Sequence, residues 1–162
     1  MAFRSVVLAV AIFASGANAQ EGTFAVRHLT PETALKAAQA VLAACRADGF
    51  QIAVAVVDRS GVAQIVLRDR FAGPHTVGVA IDKAYTAITL RQDTLAIAQL
   101  SQSGEMSGLR SFPRIVAVGG GVVVEGGGTI FGGIGVSGAP GGAADDKCAK
   151  AGLAAIVDEI TF

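Results

Sequence analysis

The chain has 162 residues, and its 13 Lys and Arg balance 13 Asp and Glu for a formal net charge of +0 at pH 7. A near-neutral chain with no basic run lacks the electrostatic footprint of a nucleic-acid binder. With 52% hydrophobic residues it can build one proper core, which predicts a single globular domain.

The first segment reads as an export signal. Arg4 supplies a short positive start, Val6 to Ala14 form an apolar run, and Ala17-Asn18-Ala19 is a small-residue cleavage site. Residues 1–19 are therefore expected to be removed, leaving 20–162 as one domain in a periplasmic or secreted location. The apolar run is shorter than the roughly 20 residues that span a bilayer, and no second such run follows. No membrane association is expected of the mature form.

Helix signals begin at Thr30. It can cap, Pro31 suits the first helical position, and Glu32 favours the positive end of the dipole. Leu35, Ala38, Leu42 and Cys45 repeat at helical spacing, and Asp48-Gly49 ends the helix. "QIAVAVVDRSGVAQIVLR" then reads as a hairpin turning at Asp58-Arg59-Ser60-Gly61. Both faces of its first strand are apolar, so both are expected to be covered. Ala53 and Ala55 invite a helix to approach closely.

After the "RDRFAGPHT" loop, a helix is predicted from His75 to Leu90, with Val77, Ala80, Ile81, Ala84 and Ile88 inward. Asp93 or Thr94 caps a short helix, and residues 101–113 form a polar loop. Three short strands follow, "RIVAVG", "GVVVE" and "TIFGGIG", turning at Gly119–Gly121 and Gly126–Gly128. A last helix is expected over 143–160, with Asp145 and Asp146 as caps at its positive end. The order α-ββ-α-α-βββ-α, with tight strand connections, predicts an α-β-α sandwich on a five-stranded antiparallel sheet.

"GGIGVSG" contains a formal G-x-G-x-x-G, but no acid-bearing parallel strand follows it, so a dinucleotide site is not supported. The same stretch nearly spells a serine elbow at Ser137. Both histidines precede that serine, against the chain order of that fold. The better reading is that these glycines allow close approach and turn the last strand into the last helix. Asp145 and Asp146 count against an anion resting on the backbone there.

"FGGIGVSGAPGGAADDKCAKAGLAAI" resembles the C-terminal signature of the GlcG/HbpS-type haem-binding family, also called the haem-degrading domain family. "IAVAVVDRSG" and "AIDKAYTAIT" resemble its first hairpin and central helix, and "LRDR" matches in part. The resemblance spans Leu29 to Ile160. It implies a profilin-like fold, a homo-oligomer, and haem binding that in some members extends to degradation or redox sensing. The acidic-glycine pair usual after the second strand is Asp69-Arg70-Phe71-Ala72-Gly73 here.

A b-type haem needs an apolar slot, an axial ligand and cations for its propionates. His75 is the candidate iron ligand, opening a helix after a Gly-Pro turn. Arg68, Arg70 and Lys83 are candidate partners for ligand carboxylates, and Phe71 for stacking on a flat ring. His28, Tyr85 and Met106 are weaker candidates. Catalysis stays open, and no zinc motif is present. The leading expectation is an exported haem-binding protein. The alternatives are an accessory module for another small planar or acidic ligand, working beside a periplasmic oxidation pathway, and an enzyme acting on such a molecule. Cys45 and Cys148 either join in the oxidising space that export implies or remain two buried thiols.

Overall fold

The computed structural model describes Gly22 and residues 24–161; the expected export segment, 1–19, lies outside them. Helix α1 (Pro31–Ala47) begins with Thr30 Oγ1 accepting the Thr33 N–H at 3.2 Å and Pro31 in the first position. It gives way to Gly49 at φ +82, a conformation glycine adopts without strain. Strands β1 (Ala53–Asp58) and β2 (Ala63–Arg68) form the expected hairpin. Asp58 closes it, accepting the Ser60 and Val62 N–H groups at 2.8 and 3.0 Å.

Helices α2 (Thr76–Leu90) and α3 (Thr94–Leu100) and an exposed 3₁₀ segment (Glu105–Ser111) come next. Then follow β3 (Gly121–Gly126), β4 (Thr129–Ser137), α4 (Gly142–Ala154) and the short α5 (Val157–Ile160). The sheet runs β2-β1-β4-β3, with every neighbouring pair antiparallel.

The sheet has four strands, not five. The "RIVAVG" segment is not a strand, because its backbone and the neighbouring β3 donors are already engaged. Thr86 Oγ1 donates to Asp82 O of its own helix at 2.7 Å and accepts the Val116 N–H at 2.9 Å, tying the segment to α2. The Gly121 and Val123 N–H groups of β3 go to Thr94 Oγ1 and Asp93 Oδ1, at 2.7 and 3.0 Å. Side chains at the start of α3 thus occupy the edge a fifth strand would need. The expected long last helix is also interrupted. α4 ends at Ala154, fully buried Ile156 adopts φ −121, and α5 turns toward β3.

The two faces of the sheet are packed differently. On one, Val54, Val56, Ile134 and Val136 meet Val41, Cys45 and Ala149 of α1 and α4. Cys45 and Cys148 form a disulfide there, with Cα atoms 5.5 Å apart. The other face carries Ala53, Ala55, Gly133 and Gly135, and α2 lies on it. A Cβ on Gly135 would overlap Ala80 O and come within 2.7 Å of Ala84 N. These strand glycines are therefore seats for a helix backbone, a specific form of the close approach expected of them.

The contrast with a glycine in open space is testable. Gly135→Ala is expected to destabilise by about 3 kcal/mol, at the upper end of overpacking effects. Gly78→Ala, in α2 with nothing within 4 Å of its added methyl, should stabilise by roughly 0.5–1 kcal/mol through helix propensity. Urea midpoints of the two variants check this. Equal shifts of the same sign would contradict the packing argument.

Candidate functional site

A cavity of about 390 Å³ opens where β4 ends and both α2 and α4 begin. Its inner wall is Ser137 and the bend that follows, Gly138 to Gly142. Thr76, Val79 and Lys83 of α2 form one side, and Val116 and Val118 the other. Phe71 and His75, both exposed, stand at the mouth. The strand that does not form is what places Val116 and Val118 here.

Lys83 and Asp145 hold the inner end together. Lys83 Nζ donates to Asp145 Oδ2 at 2.6 Å and to Val136 O at 3.0 Å, and both side chains are at most 5% exposed. Asp145 Oδ1 accepts the Ala139 N–H at 2.9 Å, which pins the bend before α4. Gly120 makes room for the pair, since a Cβ there would lie 2.6 Å from Asp145 Cβ and 3.0 Å from Lys83 Nζ. Burial pushes the Asp145 carboxyl above its ordinary range, against the opposing pull of the Lys83 bond and charge and the Ala139 N–H. A buried pair of this kind is weak evidence of net stability, but strongly penalises loss of either partner.

The structure sorts the predicted residues. Phe71, His75 and Lys83 line the one cavity, while Arg68 and Arg70 do not. Arg68 Nη1 donates to Ala72 O at 2.9 Å, so its guanidinium braces the loop. Arg70 is exposed, its guanidinium 6.0 Å from the centre of the Phe71 ring. Lys83 is not the free cation expected of a carboxylate partner, because Asp145 neutralises it. The expectation that Asp145 and Asp146 are helix caps is likewise corrected. Asp145 bridges Lys83 to the preceding bend, and Asp146 Oδ2 pairs with Lys150 at 2.7 Å.

The weaker candidates lie elsewhere. Arg114 sits 3.9 Å over the Tyr85 ring, and Met106 is on the 3₁₀ segment. His28 lines a separate cavity of about 310 Å³ with Thr33 and Glu159. Glu159 accepts from Lys36 Nζ and Thr33 Oγ1, and these bonds hold its carboxyl below the usual range. Among the described residues no three His, Cys, Asp or Glu gather as a metal site. None of the described helices is long and apolar enough to cross a membrane.

Sequence reasoning missed Ser137 as a lining residue, having dismissed it as a nucleophile. It also missed the buried Lys83–Asp145 pair. Nothing local marked that pair, since Lys83 follows Asp82 in "AIDKAYTA" and reads as one of two ordinary helical charges.

Solved structures share this architecture. HbpS of Streptomyces reticuli, determined as a double Glu-to-Asp variant, is 38% identical to this chain. The match has a TM-score of 0.77 and covers 88% of this chain and 97% of that one. The protein ORFY of Klebsiella pneumoniae is 26% identical, with a TM-score of 0.80, covering 85% and 97%. PduOC, determined as a complex with haem, shares the fold at 23% identity and a TM-score of 0.73, covering 80% of this chain and 95% of that one. The family described as HbpS-like haem-degrading proteins matches residues 29–154, from just before the Thr30 cap to the last residue of α4. By that match the chain belongs to the HbpS-like haem-degrading protein family.

Proposed function

We propose that this is an exported haem-binding protein, with haem b held in the cavity between α2 and the β4–α4 bend. The observation that carries the reading is His75. It stands exposed at the cavity mouth with no hydrogen bond made by its side chain, next to Phe71 and in front of apolar Val79, Val116 and Val118. An available imidazole beside an apolar slot is the donor set a b-type haem requires. Phe71, 79% exposed, offers a face for the macrocycle, and Arg70 beside it is a cation for a propionate. Bound haem would supply a redox-active iron. The protein's own part is to ligate it through His75 and shield one face with apolar side chains.

The family description and the haem complex of PduOC favour haem over other flat ligands. Export is supported by the N-terminal pattern and by the Cys45–Cys148 disulfide, which persists in oxidising compartments such as the periplasm or the exterior. A homo-oligomer fits the exposed Phe71 and Val118 on the cavity rim.

Titrating haemin into the purified protein is expected to give a saturable, shifted Soret band with one site per chain. His75→Ala should weaken binding at least tenfold. Saturable binding indifferent to His75 would remove the ligand assignment, and absence of saturation would remove the haem reading. Stoichiometry is the criterion because any apolar surface takes up haem non-specifically.

A further inference from the structure

The deep end of the cavity differs chemically from its mouth. Two helices of 15 and 13 residues, α2 and α4, start at its walls. The first-turn N–H groups of a helix have no intrahelical acceptor, and the helix dipole makes that end positive. Neither N-terminus is capped by a side chain. Gly141 and Gly142 at the start of α4 line the cavity, so no side chain covers that backbone.

Ser137 is the independent observation. The residue is 6% exposed and lines the cavity, and its hydroxyl has no protein partner and keeps access to the cavity space. Strand alternation puts its side chain on the α2 side of the sheet, with Gly133 and Gly135 and away from Ile134 and Val136. A hydroxyl held by a mostly buried residue, open to the cavity and without a protein partner, is available as a donor to a ligand. Lys83 adds a donor: its ammonium carries three N–H groups, and two are engaged, by Asp145 and Val136 O.

One negative group lines the cavity, Asp145, and it is answered; Asp146, next to it in α4, pairs with Lys150 at 2.7 Å. Asp145 Oδ2 faces Lys83 and Oδ1 faces the Ala139 N–H, so both oxygens are occupied and the pair is neutral overall. The repulsion that the sequence suggested at the start of α4 is therefore cancelled.

We propose that this deep end is a carboxylate subsite. One carboxylate oxygen takes the open N–H groups of the first turn of α4, and the other takes the Ser137 hydroxyl and the spare Lys83 N–H. The carboxylate belongs either to a propionate of bound haem or to a free organic acid with a flat body directed at Phe71. The donors exist without haem, so the subsite does not rest on the haem reading.

Benzoate is the probe, with benzamide as its uncharged counterpart, and both are followed by amide NMR on the full chain. Benzoate is expected to shift the Gly142 and Ala143 amide signals saturably, and benzamide should not. Ser137→Ala should weaken benzoate at least fivefold while keeping a dispersed spectrum. If that variant does not fold, the benzoate–benzamide comparison in the unaltered protein decides. Haemin and its dimethyl ester separate the two sources. A tenfold loss on esterification assigns the subsite to a propionate, and benzoate binding with no esterification effect assigns it to a free acid. Benzoate shifts without saturable haem uptake would end the haem reading and keep the subsite. Saturable haem uptake blind to esterification and to Ser137→Ala, with no benzoate shifts at Gly142 and Ala143, would overturn the subsite and leave haem binding standing.

Discussion

Lys83→Met is expected to destabilise the protein by about 3–5 kcal/mol, the usual effect of stranding one charge of a buried pair. The side chain removed is almost wholly buried, and the Asp145 carboxylate left behind keeps only the Ala139 N–H. Asp145→Asn should cost about as much, by stranding the ammonium. The double variant Lys83→Met/Asp145→Asn should lose much less than the sum of the two. Urea unfolding of the four proteins gives the coupling directly. Additive losses would mean that the pair does not act as a unit.

The pH dependence follows from the direction of the Asp145 shift. Its carboxyl is raised in the folded state, chiefly by burial. A raised carboxyl contributes stability that is full below the unfolded pKa and is lost as pH rises through the folded one. Asp145 therefore does not make the native protein acid-labile. Without Lys83 the carboxyl should rise further, so the penalty of Lys83→Met should be smaller near pH 4 than at pH 7. A penalty that grows on acidification would contradict this.

Removing the disulfide is the second large effect. Cys45 and Cys148 are 103 residues apart in sequence, and both are at most 1% exposed. For a loop of this length the chain-entropy relation gives about 4–5 kcal/mol. In a domain of this size that corresponds to a melting temperature lower by roughly 10–15 °C. The Cys45→Ala/Cys148→Ala variant should show it, and adding a reductant to the unaltered protein should lower its melting point similarly once exchange is complete. The variant itself should ignore the reductant. An unchanged melt in both experiments, with two free thiols by mass, would refute the assignment. Because the bridge ties α4 to α1, its loss should also loosen the start of α4 and weaken any ligand held there.

Much of the fold was legible because the deciding interactions are local. The Thr30 cap, the Pro31 start, the Asp58 turn and the Gly49 stop each act within a few residues. Ala53 and Ala55 of β1 announced a helix packed directly on the sheet, and α2 lies there. The count of strands was not legible. "RIVAVG" has strand composition, but strand formation needs a free edge, and Asp93 and Thr94 occupy it from about 30 residues away. The candidate site was half legible for the same reason. Phe71 and His75 follow from the loop that carries them, whereas Lys83 looks like any helical lysine until its partner 62 residues later is known.

What the sequence by itself determined is therefore the first three helices, the hairpin, the α-β-α layering and the family resemblance, since caps, turns, alternation and extended motifs are written in adjacent residues. Tertiary structure alone decided that the sheet stops at four strands, that Cys45 meets Cys148, that Asp145 neutralises Lys83, and that Ser137 is left facing a cavity between two helix starts. Each of these depends on groups far apart in the chain competing for the same donor, edge or charge, and only the packed fold brings the competitors together.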